Sequence, residues 1–149
     1  MITVSKRFEF DAAHRLMRHQ GKCKNIHGHR YAFEVQLVRG MGAAIGVDGM
    51  VLDFGAIKAL VKEHILGTLD HTLILEEGDP FLALLISEQN TSSTKIVVMS
   101  AAPTAEVMAK FIADRLQEAI DKDKVLGPIE VRSVKLWETP SSFATFERK

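Results

Sequence analysis

Apolar and polar residues alternate along the start of the chain. Ile2, Val4, Phe8, Phe10, Ala12 and His14 share even parity, with Lys6 the exception, while Thr3, Ser5, Arg7, Glu9 and Asp11 take the other face. A period of two marks a half-buried strand. The second alternating run is more regular. His27, His29, Tyr31, Phe33, Val35 and Leu37 fall on one face, and Arg30, Glu34 and Gln36 on the other. The glycine-rich segment 40–49 predicts a turn or loop, and "MVLDF" after it a short extended piece.

The period changes at Phe54. Ile57, Leu60, Val61, His64 and Ile65 recur at helical spacing, which reads His64 as a core residue. Asp53 stands as the N-cap and Gly67 as the C-cap. "DPFLALLISEQ" predicts a short helix and "KIVVMS" a short buried strand. After Pro103 comes the best helix in the chain. Thr104 caps it, Glu106 lies in its first turn, and Val107, Met108, Phe111, Ile112, Leu116 and Ile120 form its apolar stripe. Gly127-Pro128 ends that region; "IEVRSVKLWE" and "SSFATFER" read as two last strands around Thr139-Pro140-Ser141-Ser142. The order is β-β-α-α-β-β, with minor elements before the second long helix. Consecutive strands pair antiparallel, and both helices pack on one face, giving an α+β fold.

Length and charge narrow the reading. The 149 residues suit one domain, 1–149, with a real core. Lys+Arg and Asp+Glu both number 19, a balance that argues against nucleic acid or a membrane surface as partner. No run reaches the roughly 18 apolar residues of a membrane span. One cysteine forms no internal disulfide, and the N-terminus lacks the apolar run of a signal peptide. The expectation is a cytoplasmic protein.

The chemistry concentrates in "GKCKNIHGHRYAFEVQL", residues 21–37. In a strand, His27 and His29 point the same way, and His14 ends the preceding strand on its apolar face. If the two strands pair, three imidazoles converge. Three neutral nitrogen ligands with a vacancy are the pattern of catalytic zinc; the plainer reading is a set of strand-end histidines bonded to their surroundings. Cys23 lies in a loop with Arg15, Arg18, Lys22, Lys24 and Arg30 and no acidic residue between His14 and Phe33. Such a loop suits an anionic ligand or is simply a solvated face. Basic neighbours favour a thiolate, which makes Cys23 a candidate base or nucleophile.

Two other motifs fail. Gly21, His27, His29, Glu34 and Gly40 have nearly the spacing of the first cupin metal motif, but Glu34 has the wrong parity to join the histidines, and two amphipathic helices do not suit a jelly roll. The HxHxDH pattern of metallo-hydrolases fails because Tyr31 stands where aspartate is needed.

"FDAAHRL", "CKNIHGH", "LDFGAIK", "LDH", "PTAE" and "WET" occur in the order found in the 6-pyruvoyl-tetrahydropterin synthase family, and the likeness covers residues 4–146. The cysteine-to-HGH spacing resembles the bacterial 6-carboxy-tetrahydropterin synthases of queuosine biosynthesis. The resemblance implies a tunnelling fold, with four antiparallel strands and two helices on one side. It also implies trimers stacked as a homohexamer, with active sites at subunit boundaries. By motif, His14, His27 and His29 would bind zinc. Cys23 would accept a proton, with Asp70 and His71 as its relay. Glu138 would anchor the pterin and join the relay, and Thr104 and Glu106 would line the pterin pocket. The implied activity is that of a lyase, turning 7,8-dihydroneopterin triphosphate into 6-carboxy-5,6,7,8-tetrahydropterin with release of acetaldehyde and triphosphate. Formation of 6-pyruvoyl-tetrahydropterin is the near alternative; a non-catalytic zinc- or pterin-binding module is the alternative of another class.

Overall fold

Strand β1, Thr3–His14, and strand β2, His27–Arg39, pair antiparallel along their whole length, from Thr3 opposite Val38 to His14 opposite His27. The structure is a computed structural model that describes every residue except 41–44, 47 and 89–94. Five further elements follow β2 before the last two strands. They are helix α1 (Phe54–Val61), strand β3 (Thr72–Glu76), helix α2 (Pro80–Glu88), strand β4 (Ile96–Met99) and helix α3 (Ala105–Lys122). Strands β5 (Ile129–Thr139) and β6 (Ser142–Glu147) close the chain. The six strands form one sheet in the order β4-β3-β1-β2-β5-β6.

The four expected antiparallel strands are its centre and one side. The sheet is larger than they are, because β3 and β4 add to it beside β1 in parallel. β3 escaped the sequence reading because its five residues are nearly all buried on both faces, so no alternation marks them. "MVLDF" forms bends rather than a strand. The glycine-rich loop lies partly outside the described residues, and so does the chain between α2 and β4.

One core holds the layers together. Phe10, Tyr31, Phe33, Val35 and Leu37 from the sheet meet Ile57 and Val61 of α1 and Met108, Ile112 and Leu116 of α3. Each fully buried large side chain contributes about 1.5–3 kcal/mol. Lys6 breaks the alternation of β1 because its ammonium lies 5.6 Å from the Phe54 ring, over the start of α1. The buried positions of β5 change parity, from Ile129 and Val131 to Val134 and Leu136, across a bulge opposite Gln36 and Leu37.

Helix α1 does not stop at Gly67. Its chain continues through a π-helical stretch, Lys62–Leu66, and a last α turn, Gly67–Leu69; Gly67 itself is right-handed. Carbonyls along this stretch find other donors. His64 O accepts from Arg115 Nε at 2.6 Å and Thr68 Oγ1 at 3.2 Å, and Gly67 O accepts from Lys95 Nζ at 2.6 Å. The His64 ring is partly exposed rather than in the core, because the wider π turn rotates it off the stripe. The two N-caps are as expected. Thr104 Oγ1 accepts from Val107 N, and Asp53 Oδ1 accepts from Gly55 N at 2.7 Å and Ala56 N at 3.2 Å.

The Asp53 cap yields a stability prediction. Asp53→Ala leaves two helix N–H groups without that acceptor and should destabilise the protein by about 0.5–2 kcal/mol. Urea unfolding should show a lower midpoint with an unchanged slope.

Candidate active site

β1 and β2 end together, and their ends carry the cluster. With His14 opposite His27 and His29 opposite Ala12, the three imidazoles crowd onto one face. Ring centroids lie 4.6 Å apart for His14 and His27, 5.2 Å for His14 and His29, and 5.0 Å for His27 and His29. One ring nitrogen from each falls within 4.8 Å of the others, a group that could hold a metal ion. Gly28 allows this approach, since a Cβ there would lie 3.2 Å from Ala12 O.

Backbone carbonyls set the tautomers of two of these rings. His14 Nδ1 donates to Pro103 O and His27 Nδ1 donates to Asn25 O, both at 2.7 Å. A carbonyl only accepts, so each proton sits on Nδ1 and each Nε2 keeps its lone pair. His14 is 1% exposed. Burial pushes its pKa down, against the Pro103 bond and the Glu138 carboxylate, with His27 and His29 adding to the fall. The neutral ring is the metal-binding form. His14 Nε2 and His29 Nε2 are shut off from solvent and have no hydrogen-bond partner among the described residues.

A carboxylate borders the cluster, and the thiol lies in the loop that leads into β2. Glu138 Oε1 lies 3.7 Å from His29 Nε2. Glu138 is the residue skipped in the pairing of β5 with β6, between Trp137 and Thr139, and this irregularity places its carboxylate by the histidines. Cys23 sits in a single 3₁₀ turn, Lys22–Lys24, held by Leu16 N donating to Cys23 O at 2.8 Å. It is a partly exposed free thiol. Below both lies Tyr31, which is fully buried. Burial pushes its phenol far above the ordinary value, with the nearby Glu138 and Cys23 adding to the rise.

Asp70 and His71 stand apart from this group. Asp70 Oδ1 accepts from Asp11 N at 3.0 Å, His71 N donates to Asp11 O at 2.7 Å, and His71 Nδ1 lies 3.0 Å from Asp70 Oδ2. Desolvation raises the Asp70 pKa, but the Asp11 N–H and the His71 ring outweigh it and hold the carboxyl below its ordinary value. His71 adopts φ 56°, a left-handed backbone rare outside glycine, and its side chain is 77% exposed. Among the described residues, no hydrogen bond joins this pair to Cys23 or the histidines. Thr104 is committed to capping α3, and Glu106 is exposed on its first turn.

The basic loop is largely neutralised within the chain. Arg15 Nε lies 2.9 Å from Asp79 Oδ2, Arg18 pairs with Glu76, and Arg30 pairs with Glu9 and Asp11. Lys22 and Lys24, on either side of Cys23, have no such partner among the described residues. Sequence reasoning missed the carbonyls of Pro103 and Asn25, which leave no trace in residue type. It also gave Tyr31 no part in the site, although its shared parity with His27 and His29 was the available signal.

Residues 3–149 match the family described as 6-pyruvoyl tetrahydropterin synthase. The chain belongs to that family. A 6-carboxy-5,6,7,8-tetrahydropterin synthase of Rickettsia conorii is 40% identical over 143 residues, covering 96% of this chain and 98% of the relative. One from Haemophilus influenzae is 35% identical over 150 residues, covering 99% of each. Among solved structures, an uncharacterized protein from Wolinella succinogenes matches with a TM-score of 0.80 at 24% identity, over 99% of this chain and 98% of the other. The 6-pyruvoyl tetrahydropterin synthase of Caenorhabditis elegans matches at 0.65 and 23% identity, over 99% and 96%. The likeness to these two is one of fold, and the fold is the tunnelling fold of the family.

The geometry separates the family's histidines from the rejected cupin set. Glu34 pairs across the sheet with Arg7 and Lys135 and is absent from the histidine group. His27→Ala should therefore lose most of the bound metal, while Glu34→Gln should retain it, as measured by elemental analysis of the purified variants.

Proposed function

We propose that this chain converts 7,8-dihydroneopterin triphosphate and one water into 6-carboxy-5,6,7,8-tetrahydropterin, releasing acetaldehyde and triphosphate, as a step of queuosine biosynthesis in the cytoplasm. The observation that carries the reading is the group of three imidazoles, two of whose Nε2 atoms are buried and unbonded among the described residues, bordered by the Glu138 carboxylate. The names of the relatives in Rickettsia conorii and Haemophilus influenzae support it. The donor set fits zinc, with three neutral nitrogens, two of them oriented by carbonyls. Bound to His14, His27 and His29, zinc would supply Lewis acidity toward the hydroxyl oxygens of the substrate side chain.

The remaining work falls to the chain itself. Glu138 accepts two parallel hydrogen bonds from the ring N–H and amino group of the pterin, a charge-assisted pairing that fixes the ring. Thr104 and Glu106 border the pterin. Cys23 takes a proton from the side chain held at the histidines, and the Asp70–His71 pair relays it. Within one chain that pair is bonded to Asp11 of β1, the His71 side chain is 77% exposed, and no hydrogen bond among the described residues links it to Cys23. The reading therefore requires a second copy to bring its Asp70 and His71 to the first copy's Cys23, in sites shared between subunits of a trimer-based homohexamer.

An assay of the purified protein with dihydroneopterin triphosphate tests the reaction. Acetaldehyde with triphosphate is the expected outcome. Triphosphate with a 6-pyruvoyl product would establish the alternative chemistry, and bound pterin without turnover would make the chain a binding module.

Two variants separate the roles. Cys23→Ala should keep the fold and the metal and lose roughly 10²–10⁴ in turnover, the worth of a positioned base. More than about a tenth of parental activity retained would remove Cys23 from proton transfer. Glu138→Ala should weaken pterin binding by about 2–5 kcal/mol, the cost of removing one partner of a buried charged pair. Calorimetric titration with a non-reacting pterin reads that loss, and metal content should not change.

A further inference from the structure

The Tyr31 hydroxyl is a buried polar atom with no hydrogen-bond partner among the described residues, at 0% residue exposure. Such groups are rare in folded proteins, and each one asks for a function or for an occupant that comes and goes. Its ring stacks on Phe10 at 5.0 Å and meets His14 and His29 edge-on, with centroids at 5.9 and 5.5 Å. Packing alone would be served as well by phenylalanine, which occupies the next inward position of the same strand face as Phe33. The hydroxyl is the part that needs explaining.

Its surroundings narrow the partner. Both imidazoles that the phenol ring meets edge-on, His14 and His29, belong to the cluster, and Glu138 stands 3.7 Å from His29 Nε2. The hydroxyl therefore belongs to the same small space as the histidine cluster. In that space the other polar groups accept or ligate. The Nδ1 protons of His14 and His27 are spent on Pro103 O and Asn25 O. Glu138 is an acceptor. Tyr31 is left as a hydroxyl donor. A ligand whose oxygen gains negative charge beside the Glu138 carboxylate needs such a donor, and one fixed by packing costs no reorganisation when the charge appears.

We infer that Tyr31 donates its hydroxyl hydrogen bond to an oxygen of the ligand held at His14, His27 and His29, and that it stabilises negative charge there. The inference rests on the metal reading of the histidines, but not on the identity of the pterin substrate. It makes Tyr31 a catalytic residue in the proposed reaction and a selector for oxygen ligands in any other.

Tyr31→Phe removes one oxygen and leaves the ring in place. With cobalt(II) loaded in place of zinc, visible absorption follows the binding of two probes. Acetate offers a second oxygen to accept the hydrogen bond; imidazole offers none. The variant should take up cobalt as the parent does. It should bind acetate about tenfold more weakly, the worth of one hydrogen bond to a charged group, and imidazole equally well. If the parent is active, kcat with dihydroneopterin triphosphate should fall by about 10²–10³, as when one donor to a developing oxyanion is lost. Unchanged acetate affinity overturns the inference, and so does an equal weakening of both probes or a loss of cobalt, since each makes Tyr31 structural. A parent without pterin turnover but with the acetate difference would sink the proposed reaction and leave the role of Tyr31 standing. A parent that takes up no metal would sink both.

Discussion

The register of β1 on β2 is the constraint on which both core and site depend. Pairing His14 with His27 also pairs Phe10 with Tyr31 and Phe8 with Phe33. A slip of one residue would turn every side chain of one strand to the opposite face. The imidazoles would then scatter, and the aromatic row beneath them would lose its partners. The apolar pairs that stabilise the sheet are thus the same device that sets the geometry of the cluster. Metal affinity and folding are linked through this pairing, since disturbing either strand disturbs both.

The cluster is then refined by backbone carbonyls from distant parts of the chain. Pro103 O, just before α3, accepts the hydrogen bond from His14 Nδ1–H, and Asn25 O accepts that from His27 Nδ1–H. The first of these bonds spans 89 positions, so the docking of α3 on the sheet selects the tautomer of a residue on β1. Asp11 plays a related part for Asp70 and His71, clasping both through its N–H and carbonyl. The left-handed φ of His71 persists because these bonds over-determine the turn. Side chains supply the chemistry of this region, while main-chain groups supply its precision.

What could be read from the sequence follows from which of these devices leave a mark on residue type. Alternation revealed β1 and β2, helical periodicity revealed α1 and α3, and Asp53 and Thr104 announced their caps. Parity put His27 and His29 on one face and excluded Glu34. The misses share a cause. A bulge shifts parity within β5, so strict alternation cannot follow it; β3 and the π stretch after α1 depend on tertiary contacts that no local pattern encodes. Gly67 looked like a C-cap because glycine commonly is one, but the helix continues where β3 and Lys95 can use its carbonyls. His64 was misplaced by the same assumption of an undisturbed helical period. The hydrogen-bond partners of His14 and His27 were unreadable, because any residue could supply those carbonyls.

The electrostatics of the site explain how a chain of zero net charge can serve a strongly anionic substrate under the proposed reading. Most of the basic loop is not free for a ligand. Arg15 and Arg18 are held by Asp79 and Glu76, two nearly buried carboxylates, and Arg30 by Glu9 and Asp11. These pairs fix the loop that carries Cys23 rather than attract a triphosphate. Lys22 and Lys24 remain, one on each side of the thiol. Under that reading attraction comes from two places, the exposed ammonium groups at the rim and the metal that the histidines would hold. Beside that metal stand a buried phenol and a carboxylate. A diffuse positive field would raise affinity for any polyanion. Charge concentrated at these two places instead makes binding depend on how the ligand's anionic tail is spaced from the oxygens that meet the metal.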